Sequence, residues 1–248
     1  MQHESISATM NGNHKFLGIW QTGRRDGRFG TLYELAHDAR RVLEGHWQAV
    51  GIIQGDARRS AFAQKEDIIT DAQKRLRDIG ALTNKFLSMR QEVEKEAAEL
   101  ARVPGYDGDA AQVAIDLGLA KYIQAMEPAK RVNQLMMGSD PDLVRAVLRL
   151  PTALTGISTS FRAKVLREEI YRREPAKSQD HEDFQGALDN VSSALSAVWK
   201  VIAAAGQVDL AKQIESAGNA DAAHVVLPRQ NSEVISGIAA KVLTSQGE

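Results

Sequence analysis

The sequence predicts an all-α protein: an irregular multi-helix bundle with one long charged helix and a mostly irregular N-terminal arm. Three observations carry that expectation. Residues 182–205 place Phe184, Leu188, Val191, Leu195, Val198, Ile202 and Ala205 at alternating four- and three-residue steps, the period of a helix with one buried stripe. Residues 57–102 keep a narrower apolar stripe inside a densely charged background. Aromatic residues make up only 5% and there are 6 prolines, a composition that favours helix over sheet.

Taken in order, residues 1–30 read as an extended arm. A polar start leads into Phe16, Leu17, Gly18, Ile19 and Trp20, then into a basic, glycine-rich run holding Arg24, Arg25 and Arg28. Glycines at 18, 23, 27 and 30 argue against a helix there. Phe16, Leu17, Ile19 and Trp20, with the arginines, are the candidate partner-binding residues. The first helix is expected to start at Thr31, with Leu32, Leu35, Ala36, Ala39, Val42, Leu43, Trp47 and Val50 inward, and to stop near Gly51.

The long helix 57–102 slips from four–three to three–three spacing at Ile79 and Leu82, beside Gly80, so a bend or break is expected there. Asp107 or Asp109 should cap a helix reaching Met126. Pro128 opens the next, which Gly138 closes. Ser139-Asp140-Pro141 starts a helix that Pro151 stops, and Ser158-Thr159-Ser160 starts another that ends at Pro175. The run PAKSQD then reads as a linker into helix 182–205. Small or apolar flanks at Ala187, Ser192, Ala194, Trp199 and Val201 widen that helix's buried face, so it should meet more than one neighbour. A short helix at 208–217, an extended piece at 224–227 and a last helix at 232–243 follow. The regions are therefore 1–30 as the arm, 31–127 as a long-helix hairpin and 128–248 as the bundle.

Chemistry is scarce. With no cysteine there is no disulfide, thiol nucleophile or Cys-ligated metal. A net charge of −1 gives no general attraction to nucleic acid or acidic lipid. No window is apolar enough to span a membrane, and residues 1–15 lack the basic-then-apolar order of a signal peptide, so a cytoplasmic or particle-bound soluble protein is expected. Glu34 and His37 make one Glu-x-x-His without the second copy that a di-metal bundle needs. Asp107 and Asp109 lack the later ligands of a calcium loop. The stretch Gly23–Gly30 lacks the Lys-Ser/Thr ending of a phosphate loop. No metal, cofactor or catalytic residue is assigned. Helices 141–150 and 159–174 resemble a helix-turn-helix in outline, with Arg162, Lys164, Arg167, Arg172 and Arg173 on the second. Their connection exceeds the usual turn, and Glu168, Glu169 and Glu174 offset the charge.

The stretch SDPDLVRAVLRLPTALTGIS, starting at Ser139, and the charged helix ending RQEVEKEAAELARVPG resemble small uncharacterised helical proteins from the structural gene clusters of tailed bacteriophages. The likeness covers about residues 60–175. It implies a phage particle or its assembly as context, and no site residues. The expected function is a non-enzymatic structural or assembly protein, a virion component (head, connector or internal protein) acting through helix–helix contacts and its arm, with protein partners that include itself. The alternatives are a nucleic-acid-binding regulator using helix 159–174 and a helical enzyme subunit.

Overall fold

A computed structural model describes residues 3–207. They form a two-stranded antiparallel hairpin, β1 (Glu4–Met10) and β2 (Asn13–Trp20), followed by helices α1 (Gly27–Gly55), α2 (Ala61–Leu100), α3 (Ala110–Ala125), α4 (Pro128–Met137), α5 (Pro141–Arg149), α6 (Thr152–Thr155), α7 (Thr159–Arg173) and α8 (Pro175–Ala205). The fold is all-α apart from the hairpin. The expected elements at 208–217, 224–227 and 232–243 lie outside the described residues. The described chain divides into two compact units, residues 3–91 with 183–207, and residues 92–182.

In the first unit, Phe184, Leu188, Val191, Leu195, Val198 and Ile202 of α8 are all buried, as are the flanking Ala187 and Ala194. From α1, Phe29, Leu32, Leu35, Ala36, Ala39 and Leu43 join this core, and Phe29 meets Phe184 edge-on with ring centroids 5.0 Å apart. Ala72, Leu76, Ile79 and Phe86 of α2 are buried too. The helix runs through Gly80 unbroken, against the sequence expectation. A single glycine costs a helix about 1 kcal/mol, less than the burial of Leu76, Ile79 and Phe86 returns.

Other boundaries move for local reasons. The arm, read as mostly irregular, is a β-hairpin. Asn11 and Gly12, at φ 51° and 76°, form the two-residue turn with both residues left-handed that matches the twist of paired strands. Helix α1 starts at Gly27 rather than Thr31, because the Asp26 carbonyl accepts from the Phe29 and Gly30 amides. Gly30 is required in this first turn, since a Cβ there would sit 2.5 Å from the Arg25 carbonyl oxygen. The helix also passes Gly51 and ends at Gly55. PAKSQD is the first part of α8, opened by a proline that suits an N-terminal turn.

The second unit is built from short helices around Ile123, Leu135, Leu143, Val144, Val147, Leu148, Ile157, Val165, Leu166 and Ile170. Three of them, α3, α5 and α7, start on side-chain caps: the Asp109 carboxylate accepts from Ala111 and Gln112, Asp140 from Asp142 and Leu143, and the Ser158 hydroxyl from Phe161. Their ends follow a different rule. A helix leaves its last carbonyls unpaired, and here each set receives a donor from another element. Arg131 donates to Gln124 and Met126 at the end of α3 (3.1 and 3.0 Å), and Arg172 to Leu135 and Met136 at the end of α4 (both 3.5 Å). Arg162 donates to Leu148 of α5, Gln124 to Leu154 of α6 and Arg173 to Leu100 of α2. The Ser178 hydroxyl serves Glu174 after α7. Positive charge at a helix C-terminus also complements the macrodipole.

Candidate partner-binding surface

The non-alternating run FLGIW sits on β2, and pairing shows how it is divided. Ile6 pairs with Gly18 and Ser7 with Phe16, so Leu17 is an extra residue in a bulge. The bulge resets the alternation. Leu17 and Trp20 turn inward and are buried, while Phe16 and Ile19 turn outward, 52% and 39% exposed. Across the strands these two face Ser7 and Ser5, giving an outer sheet face of two large apolar side chains in a hydroxyl-bearing frame. Of the four apolar candidates, two are free to meet a partner and two are core.

The arginines are all engaged within the first unit. Arg24 stacks over Phe29 (3.8 Å to the centroid) with its Nε 3.8 Å from Asp26. Arg25 lies over Tyr33 and pairs with Glu4, and Arg28 lies over Phe184 at 4.3 Å. Sequence reasoning missed the hub of this cluster, Glu4. Its carboxylate accepts from the Tyr33 hydroxyl at 3.0 and 3.1 Å and lies 3.7 Å from His37 Nε2. Burial, helped by Glu4, raises the Tyr33 pKa; burial, helped by Arg40, lowers that of His37 and favours the neutral ring. Trp20 packs edge-on against Tyr33, and its indole donates to the Arg24 carbonyl at 3.0 Å. The arrangement ties the hairpin's open end to α1. Glu34, the other half of the Glu-x-x-His pair, faces Arg41 instead.

A second apolar surface was not read from the sequence as such. On α3 the inward face holds Asp116 beside Ala120 and Ile123, with Asp116 1% exposed and held by Gln112 Nε2 at 2.8 Å and Arg149 at 3.3 Å. Burial, followed by the nearby Asp116, pushes the Tyr106 hydroxyl beside this network up to about 12. The outward face carries Ala111, Ile115, Gly118, Tyr122 and Ala125, all exposed, with Ile115 at 55% and Tyr122 at 52%. Their four–three spacing makes a continuous stripe. Helix α3 therefore buries one carboxylate together with Ala120 and Ile123 on its inner face and carries a second apolar stripe on its outer face. The adjacent Ile115 and Asp116 point to different faces of the helix, and the Arg149 partner that takes Asp116 inward is visible only in the fold. At the joint between α1 and α2, Ile52 and Phe62 are exposed as well.

Most of the basic face of α7 is already occupied, and Lys164 is exposed. Arg162 is buried, Arg167 pairs with Glu182 at 2.9 Å, and Arg172 and Arg173 reach helix-end carbonyls. A short helix, α6, stands in the connection that resembled a helix-turn-helix. Among the described residues no group of three or more His, Asp or Glu is placed to hold a metal ion, and no helix is long and apolar enough to cross a membrane. No family model matches the chain, no curated protein matches it, and no solved structure matches it.

Proposed function

We propose that this chain is a non-enzymatic structural or assembly protein that binds protein partners through two apolar surfaces. The single observation behind this reading is α3, a helix that buries Asp116 and presents Ile115 and Tyr122 to solvent. Burying a carboxylate needs a dedicated guanidinium, whereas exposing an apolar stripe has no return in the isolated chain. A partner helix laid on the stripe would supply that return, reading it as anchors at successive turns. The outer hairpin face, Phe16 and Ile19, is the second surface. The phage-particle context comes only from the resemblance over residues 60–175. On α7 the Arg162, Arg172 and Arg173 side chains turn to helix-end carbonyls and Arg167 to Glu182. That leaves the exposed Lys164 as the support for the nucleic-acid reading, so protein partners are the favoured reading.

The test is purification from the native producing cells or particles, with wild type compared against Ile115→Lys/Tyr122→Lys and Phe16→Lys/Ile19→Thr. Because these side chains are exposed, circular dichroism and melting should stay near wild type. Loss of a co-purifying protein or of self-association in either variant supports the proposal. A wild-type chain that is monomeric by light scattering and co-purifies with nothing would refute it.

A further inference from the structure

We propose that Asn11-Gly12 is a self-modifying site, a hairpin-tip latch that opens irreversibly by deamidation. The tip is held on α1 by two side-chain contacts. Asn11 Nδ2 donates to the Trp47 carbonyl oxygen at 3.1 Å, and the Thr9 amide donates to Glu44 Oε1 at 3.2 Å. Residues 44, 47 and 51 share one face of the helix, and Gly51 makes the slot that the amide occupies. A Cβ on Gly51 would lie 2.4 Å from Asn11 Nδ2. An interior helix glycine is normally unfavourable, and here its lack of a side chain admits the latch.

The same dipeptide is the one Asn-Gly in the chain. Gly12 brings no side chain of its own to crowd the peptide nitrogen, and apart from its chain neighbours nothing lies within 4 Å of where a Cβ would be. That nitrogen, once its proton is taken by hydroxide, can attack Asn11 Cγ. The new C–N bond forms as the Cγ–Nδ2 bond breaks, and Nδ2 leaves as ammonia after taking a proton from water. Water then opens the cyclic imide, at Cγ to give aspartate or at the main-chain carbonyl to give isoaspartate. Either product replaces the amide donor with a carboxylate. It can no longer donate to Trp47, and it brings a second negative charge to the helix face bearing Glu44. Isoaspartate also lengthens a two-residue turn that has no slack.

While the latch is closed, the bonded amide and the left-handed backbone at Asn11 hold Cγ away from attack, so deamidation tracks opening. The chemistry of the tip is independent of what the outer hairpin face binds.

The full chain is incubated at mildly alkaline pH, and each asparagine is followed by peptide mass mapping, with amide hydrogen exchange read in parallel. Asn11 should convert ahead of Asn13 and Asn133. Gly51→Ala should speed its conversion roughly two- to tenfold, the factor held by one hydrogen bond of ordinary net strength, even though alanine is the better helix former. Converted wild type and Asn11→Asp should both lose protection at the Thr9 amide. The proposal fails if Gly51→Ala converts at the wild-type rate, or if Thr9 stays protected after conversion. Were Gly51→Ala to misfold by circular dichroism, Asn11→Asp alone would decide through Thr9.

Discussion

In the unit of residues 3–91 and 183–207, α8 lays an uninterrupted apolar seam against buried side chains drawn from long helices. In the unit of residues 92–182, the helices are short and guanidiniums close most of their ends. The difference follows from helix length. Each helix leaves a fixed number of carbonyls unpaired whatever its length, so a unit of short helices carries proportionally more of them. A long helix can rely on its stripe, but a short one needs its ends satisfied. The two units should therefore fail in different ways when single side chains are removed.

The largest effect is expected in the seam. Leu195→Ala empties a fully buried position on α8 and should cost about 2–5 kcal/mol, read from chemical denaturation. Hydrogen exchange should show the loss at α8 amides around the cavity. A cost under about 1 kcal/mol would mean that the seam collapses around the gap and contributes less than its burial implies.

A smaller effect belongs to the helix ends. Arg172→Ala removes the donor shared by Leu135 and Met136 together with its contact to Glu169. With long bonds and partial exposure, about 1 kcal/mol is expected, concentrated at the last turn of α4. Arg172→Lys should recover only part of it, because an ammonium cannot span two carbonyls as a planar fork does. Full recovery by lysine would show that charge at the helix end, not bonding geometry, was the useful part.

These contrasts also mark what the sequence discloses. The seam was legible because its spacing is local to one helix, and each of Phe184, Leu188, Val191, Leu195, Val198 and Ile202 is buried. The helix starts near Asp109, Asp140 and Ser158 and the helix end at Gly138 were legible for the same reason. The structure is what picks Asp109 over Asp107, Asp140 over Ser139 and Ser158 within its run. The hairpin has a local signal too, Asn11-Gly12 as a two-residue turn, but the residues before it are mostly polar, which leaves the strand weakly marked. The division of Phe16 and Ile19 from Leu17 and Trp20 was not legible, since it depends on a bulge set by cross-strand register. Nor were the arginine roles. Arg173 bonding Leu100 joins residues far apart in the chain, and composition presents such a residue only as surface charge.

An effect of similar size tests how the first unit handles a partly buried charge on its seam helix. Asp189 lies on α8, half-buried, with Oδ2 shielded from water and without a hydrogen-bond partner. Burial raises its pKa from 3.8 to about 6, although a hydrogen bond from Gln185 and the charge of Arg90 pull the other way. The folded chain thus holds this proton more tightly than the unfolded chain. Between 3.8 and about 6 the folded state carries the extra proton, so this group's contribution to stability falls as pH rises through that window. Above about 6 the cost of the buried carboxylate is present in full. Asp189→Asn removes the charge and keeps the shape. It should raise stability at pH 7 by about 1 kcal/mol, after discounting the shift for partial exposure. The gain should vanish near pH 3.8, where the wild-type folded state is already neutral at this position. Denaturation at both pH values separates the explanations: a gain equal at both would come from packing around the amide, and only a gain confined to the higher pH identifies the buried charge as its source.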